Sequence, residues 1–492
     1  MTNVRVRFAP SPTGKPHLGS IRQAMFDWLM ARHSGGKFIL RIEDTDRKRF
    51  DPDAVAEMMR ALRWVGLDWD EGPEAGGDFG PYFQSERLEI YDKYARELIA
   101  GGHAYKCWCT PERLDALRKS QEERGLPTGY DRRCRYLPEE EKRKYEEEGA
   151  PYTIRFATPR EGTITWDDVV FGEMSWEARV VDDYILIKSD GYPTYHMAAT
   201  IDDHLMQITH VIRGEEWLST APLHLMIYQA LGWEPPKFVH TTHILGPGRK
   251  KLSKRDASAE FLNYEREGYL PEAMFNAIAT IGWSAGDDKE IYTREELVRD
   301  FSLEGLVGHS AILDPEKVLW FNGIYIRNLA PAELAERCLP FLQEARLVGP
   351  NPSEKEKAYI ADVIKLEQER MKTLAEAPEL ADFFLLPDDK YPFDENTKQK
   401  WFTVPGMAQR LAWVRDHLAK LVNFDHDSIE QVVRAASEHF GVKGGDVIHP
   451  VRLAVSGRPK GPGLFEMMAV LGPERVQRRL ERAIGMIESL AG

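Results

Sequence analysis

Residues Pro10 to Gly19 read Pro-Ser-Pro-Thr-Gly-Lys-Pro-His-Leu-Gly, and far along the chain Lys251-Leu252-Ser253-Lys254-Arg255 follows the turn Gly246-Pro247-Gly248-Arg249. These residue types suit phosphate chemistry. An imidazole can hydrogen-bond a triphosphate, a glycine without a side chain lets a flat purine approach the backbone, and two lysines act as movable point charges. Taken singly, the histidine could be a helix cap and the lysine run a solvated face. Two cationic elements remote in sequence can converge on one nucleotide.

The elements around the first motif place it. Val4, Val6 and Phe8 alternate with Arg5 and Arg7, which predicts a short strand with one apolar, buried face and one cationic face. Pro10, Pro12, Gly14 and Pro16 turn the chain, and Ile21, Met25, Trp28 and Leu29 recur at helical spacing until Gly35-Gly36. His17 and Gly19 therefore fall at a helix N-terminus, where free N–H groups and the helix dipole favour an anion. Lys37 to Ile42 reads as a buried strand with Glu43-Asp44-Thr45-Asp46 at its C-terminal end, the side on which open α/β sheets bind ligands. Acids there can hold an ammonium group or orient Mg²⁺; at Asp46 simple turn formation is an equal alternative.

Sheet-like patterning resumes over Val180 to Lys188, a turn leads through Ser189 to His196 into a helix, and Val211 to Trp217 reads as a strand with a polar end. Between residues 85 and 190 lies an insertion with charge runs such as Glu139 to Lys144. A split nucleotide-binding domain results. Beyond residue 260 helical periodicity dominates, as in Val476, Leu480, Ala483, Ile484, Ile487 and Leu490.

With 492 residues the chain is long enough for several domains. Its 65 basic and 79 acidic residues give a net charge of −14, which argues against nonspecific coating of nucleic acid and leaves any polyanion to local basic patches. No apolar run approaches the ~20 residues that cross a bilayer, and the start Met1-Thr2-Asn3-Val4-Arg5 lacks a signal-peptide core. A cytoplasmic protein without a membrane partner is expected. Four cysteines in this length make no disulfide framework.

Together with Arg41-Ile42-Glu43-Asp44-Thr45-Asp46, Asp202-Asp203-His204, Arg213 to Trp217, Trp320-Phe321-Asn322-Gly323 and His449-Pro450-Val451-Arg452, these strings resemble the glutamyl-tRNA synthetases, a branch of the class I aminoacyl-tRNA synthetases. The resemblance runs from Arg7 to the C-terminus. It implies an α/β protein with a Rossmann-type parallel-sheet catalytic domain, an inserted acceptor-binding domain and an all-helical anticodon-binding C-terminal region. The corresponding spans are 1–85 and 190–250 for the split Rossmann domain and 86–189 for the insertion. A stem-contact region with the lysine loop follows at 251–325 and the anticodon-binding region at 326–492.

The implied reaction activates L-glutamate with ATP and Mg²⁺ to glutamyl-adenylate. It then transfers the glutamyl group to the terminal adenosine of tRNA(Glu), releasing AMP and diphosphate. The chain is taken to act as a monomer. On the family pattern ATP contacts Pro10, Ser11, Gly14, His17, Gly19, Lys251, Ser253 and Lys254, with His17, Lys251 and Lys254 as the catalytic set. Glutamate meets Arg7, Ser11, Glu43, Tyr195, Arg213 and Trp217. Ala199 stands where the family commonly has an asparagine that contacts the substrate, so that contact is missing or comes from elsewhere, with Thr200 as the nearest candidate.

Cys107, Cys109, Tyr130 and Cys134 resemble the zinc site in the insertion of some family members, one structural Zn²⁺ per chain, with Tyr136 as a rival fourth ligand. Three reduced thiols in a small core are the alternative. Arg370 and Arg452 resemble anticodon-contacting positions, and an arginine at 370, on a helix of the family, implies preference for tRNA(Glu) over tRNA(Gln). The competing functions are a non-discriminating enzyme that also charges tRNA(Gln), a small-molecule nucleotidyltransferase and a non-catalytic tRNA-binding paralogue. A truncated relative that modifies an anticodon base would lack the C-terminal region. A glutaminyl enzyme would carry a β-barrel there.

Overall fold

A computed structural model describes residues 4–249 and 260–491, so Lys251, Ser253 and Lys254 lie outside the described residues. The chain divides into two compact units, Met1–Tyr264 with Pro271–Pro315, and Glu265–Leu270 with Glu316–Gly492.

In the first unit, β1 (Arg5–Phe8) leads through the proline-rich turn into α1 (Leu18–Ser34) and back to β2 (Lys37–Leu40), parallel to β1. The helix begins with a capping box in which His17 Nδ1 accepts from Ser20 N (3.2 Å) and Ser20 Oγ accepts from His17 N (3.2 Å). It ends at Gly35, whose φ of 66° lies in the left-handed region that glycine adopts without strain. Beside β1 runs β8 (His210–Gly214), tied to it by Thr209 N donating to Arg5 O (2.8 Å), and β9 (Lys237–Thr241) pairs parallel with β8. The hairpin of β5 (Thr163–Asp168) and β6 (Gly172–Glu177) joins the far edge, where Asp168 pairs with Phe238.

A separate antiparallel sheet, β3 (Ala104–Cys107), β4 (Thr153–Phe156) and β7 (Ile185–Ile187), shares a core with α3 (Leu88–Ala100), α6 (Tyr195–Leu205) and α7 (Ala221–Ala230). Of the stretch 180–188 only Ile185–Ile187 is strand, because Ala178–Val180 closes into a single tight helical turn before it.

The arginine face of β1 is not a cationic surface. Arg5 and Arg7 are buried along with Val6 and Phe8, because segments carrying Glu71 and Asp203 pack on that face. Arg5 forms an ion pair with Glu71 (2.7 Å) and Arg7 with Asp203 (2.9 Å). Pairing and hydrogen bonding offset the cost of burying these two charges.

The second unit is helical from Glu316 onward. Asn322, fully buried, accepts from Leu270 N (2.8 Å) and donates to Lys372 O (2.6 Å), pinning two segments of this unit together. In the helix Pro473–Ala491, Val476, Leu480, Ala483, Ile484 and Ile487 are buried, whereas Leu490 is exposed near the helix end. Arg475, Arg478 and Arg479 of the same helix converge on Asp388. Among the described residues no helix is long and apolar enough to cross a membrane.

Candidate functional site

A cavity of about 1070 Å³ opens at the C-terminal ends of β1, β2, β8 and β9. From the turn after β1 and the start of α1 come Ser11, His17 and Gly19, from β1 itself Arg7, and from the segment after β2 Glu43. Tyr195 enters from the start of α6, and Arg213 and Trp217 from the end of β8. Pro10 and Gly14 belong to the same turn without lining the cavity, and Pro10 O accepts from Glu43 N (3.0 Å), which ties the turn to the acidic segment.

The chain on either side of the lysine segment is fixed here. His243 and Ile244 line the cavity before it, and after it Glu260 bridges His17 while Phe261 N donates to Pro16 O (3.0 Å).

Arg7 and Arg213 are held in different ways. Arg7 donates from Nε (2.9 Å) and Nη2 (3.3 Å) to Asp203, which also accepts from Arg41 (2.8 Å). Burial pulls the Asp203 carboxyl upward, but Arg7 and Arg41 hold it below the usual carboxylate range. Arg213 instead donates to His240 Nε2 (3.0 Å), His224 Nδ1 (3.3 Å), Tyr195 Oη (3.3 Å) and Trp217 O (3.3 Å). None of these acceptors is a carboxylate. Burial, followed by the Arg213 charge, lowers His224 and pushes His196 down to about 4. Burial also lowers His240, with Asp168 pulling the other way. The imidazoles around the guanidinium are neutral.

Glu43 is pushed up to about 7 by burial, against the opposing pull of Arg41 and Arg7. The rings of Tyr195 and Trp217 lie 4.4 Å apart and wall the pocket beside Arg213. Ala199 and Thr200 are buried in α6 and do not line the cavity; Thr200 Oγ1 donates to His196 O (2.8 Å), so its hydroxyl is turned to its own helix.

Residues 3–320 match the family model for the catalytic domain of class I tRNA synthetases (E and Q), and residues 333–484 match an anticodon-binding domain. The chain is 46% identical over its full length to the full length of a glutamate–tRNA ligase of Moorella thermoacetica. It is 45% identical to that of Desulforudis audaxviator over 99% of this chain and 97% of the relative. A crystal structure of a glutamate tRNA ligase from Elizabethkingia meningosepticum in complex with its amino acid superposes with a TM-score of 0.90 at 38% identity. That superposition covers 99% of this chain and 100% of the other. The chain belongs to the glutamate–tRNA ligases.

The ligase carries a cysteine cluster outside the cavity. Tyr130 Oη lies 3.3 Å from Cys107 Sγ and 3.5 Å from Cys109 Sγ, and Cys109 and Cys134 Sγ are 3.5 Å apart. Tetrahedral zinc with thiolates at ~2.3 Å sets its ligand atoms ~3.8 Å apart, so the spacing fits with little adjustment. The three cysteines can hold a metal ion. Tyr136 is exposed, and the phenol among the sulfurs is that of Tyr130.

In the helical unit Arg370 lies just beyond the helix Glu354–Glu367, where the sequence resemblance implied a helical position, because the chain leaves the helix at Gln368. Its Nη1 pairs with the buried Glu367 (2.6 Å). Arg452, on the helix Gly445–Ser456, donates to Pro462 O (2.7 Å), and burial together with the nearby Arg370 charge lowers it.

Sequence reasoning gave no part to Asp168, His224 or His240, and quoted Asp203 without a role. No motif or spacing marks Asp168, which lies in the β5–β6 hairpin and reaches the site only through the sheet.

Proposed function

We propose that this cavity binds ATP and L-glutamate and that the glutamate α-carboxylate attacks the α-phosphorus of ATP. Pyrophosphate leaves, and a ribose hydroxyl of the terminal adenosine of tRNA(Glu) then attacks the acyl carbon of glutamyl-adenylate and expels AMP. The reading rests on Arg213: a buried guanidinium whose partners are all neutral keeps an uncompensated charge that an anionic side chain of the substrate can meet. Glu43 receives the substrate ammonium, Ser11, Tyr195 and Trp217 wall the pocket, and Arg7 borders it from its pair with Asp203. Pro10, Ser11, Gly14 and Gly19 shape the nucleotide side. His17 sits at the α1 N-terminus, and the segment that carries Lys251, Ser253 and Lys254 is preceded by the cavity-lining Ile244 and followed by Glu260, which bridges His17.

No covalent enzyme intermediate is needed, so catalysis is positioning and charge stabilisation, with Mg²⁺ accompanying the nucleotide. We assign 1–85 and 190–250 to the catalytic domain, 86–189 to acceptor-end binding, 251–325 to stem contact and 326–492 to the anticodon. The work is done in the cytoplasm, where ATP and tRNA are found together. Cys107, Cys109, Tyr130 and Cys134 hold one structural Zn²⁺, since a phenol clustered with three sulfurs supplies four ligand atoms and a site with four protein ligands leaves no open position.

His17→Ala and Lys254→Ala should each lower the aminoacylation rate by about 10²–10³, the usual effect of removing one donor that acts on transition-state charge. Folding and tRNA affinity should hardly move. Near-normal rates in both variants would remove the nucleotide assignment. Elemental analysis of chelator-washed protein should return about one zinc per chain, as a four-ligand site implies, and Cys109→Ser should lose it. Fully active metal-free protein would mark the cysteines as packing residues.

A further inference from the structure

Arg213 and His240 are direct partners across the parallel β8–β9 pair, and Asp168 pairs with Phe238, two residues before His240 on the same face of β9. The register therefore puts Asp168 diagonal to His240 on the face that also carries Arg213, and all three are buried. Arg213 Nε can only donate, so His240 Nε2 (3.0 Å) must be the accepting nitrogen. The ring proton is then on Nδ1, where Asp168 Oδ2 accepts it at 2.5 Å. The other oxygen of Asp168 is engaged: Oδ1 accepts from the N–H groups of Val170 (3.1 Å), Phe171 (3.1 Å) and His240 (3.4 Å).

We propose that Asp168 and His240 are positioning residues for glutamate recognition: Asp168 fixes the His240 tautomer, and the Nε2 lone pair so exposed aims the Arg213 guanidinium at the substrate side chain. The inference rests on Arg213 being the glutamate ligand. A carboxylate of the protein in direct contact with Arg213 would neutralise it, as Asp203 does Arg7. The histidine interposed between Asp168 and Arg213 orients the guanidinium without cancelling its charge.

Asp168→Asn tests the tautomer. The three backbone N–H groups require an oxygen at the Oδ1 position, so the new amide NH₂ takes the Oδ2 position and donates to His240 Nδ1. The imidazole must then carry its proton on Nε2, facing the N–H of Arg213. Two donors opposed in a buried site displace the guanidinium at almost no change in volume.

In aminoacylation by the full chain, Asp168→Asn should raise the KM for glutamate by about 10–100-fold, while kcat and the KM for ATP stay within about threefold. His240→Gln, whose amide oxygen can stand in for the Nε2 lone pair, should keep the glutamate KM within about fivefold of the parent. In that background Asp168→Asn should add nothing further, since no tautomer remains to be set. His240→Asn, too short to reach Arg213, should behave like Asp168→Asn. Equal damage to the ATP and glutamate KM values, or full additivity of Asp168→Asn with His240→Gln, would make Asp168 a residue of fold alone and overturn the proposal. Arg213→Leu separates the two levels. An unchanged glutamate KM there removes the reading of Arg213 itself, whereas a large rise with Asp168→Asn silent overturns only the positioning role.

Discussion

Arg213 in the cavity and Arg370 in the helical unit are both arginines beside buried groups, yet their surroundings leave them different capacities. Arg213 is buried, fixed by acceptors from β9, α6, α7 and the end of β8, and none of these takes its charge. Arg370 has 41% of its side chain exposed and one local carboxylate partner three residues back. That partner, Glu367, is fully buried, and burial pushes its carboxyl upward against the pull of Arg370. An arginine held by neutral groups from several elements is a preorganised anion site. One held by a single neighbour in sequence keeps most of its rotamer freedom and can exchange that partner for a base edge.

The sharpest way to break this contrast is Arg213→Leu. Loss of a buried charged partner costs about 2–5 kcal/mol, so the glutamate KM should rise by about 30-fold or more, with the ATP KM changing little. Equal effects on both substrates would make Arg213 structural and leave the cavity arginine no different from the helical one.

A smaller effect should appear in the pH dependence of glutamate binding. Glu43 is raised to about 7 by burial, so above that pH it is an anion that an ammonium can meet, and below it the carboxyl is protonated and binding must expel the proton. The glutamate KM should therefore climb by up to about tenfold per pH unit as pH falls below about 7. In Glu43→Gln the KM should be raised and that slope lost. A wild-type KM flat from about pH 5.5 to 8 would remove Glu43 from the ammonium site.

The smallest effect is expected at Arg370. The wild-type enzyme should prefer tRNA(Glu), and Arg370→Gln should relax that preference by about 2–12-fold, the ~0.5–1.5 kcal/mol of one typical hydrogen bond, with little loss on the cognate tRNA. Equal charging of both tRNAs by the unmodified enzyme would show it to be non-discriminating. The exposed arginine would then be a surface charge.

The strand-turn-helix that builds one wall of the cavity was legible from local patterning alone. Alternation over Val4 to Phe8, the prolines after it and the helical spacing of Ile21, Met25 and Leu29 each report a local preference that the tertiary fold does not oppose. The same alternation misread Arg5 and Arg7 as a cationic face. A period-2 pattern tells which residues share a face, but whether that face is buried depends on what packs on it, and Asp203 and Glu71 come from distant segments.

The amino-acid sequence by itself determined the family, the α/β-then-helical order and residue types that line the cavity, because those strings carry their chemistry in local spacing. Only the tertiary structure decided that Arg213 faces the cavity among neutral acceptors, that Tyr130 and not Tyr136 stands among the sulfurs, and that Asp168 lies behind His240. The first and the last depend on sheet register between segments far apart in the chain, which is set by the packing of whole strands and which no short motif encodes; Tyr130 reaches the sulfurs from a loop.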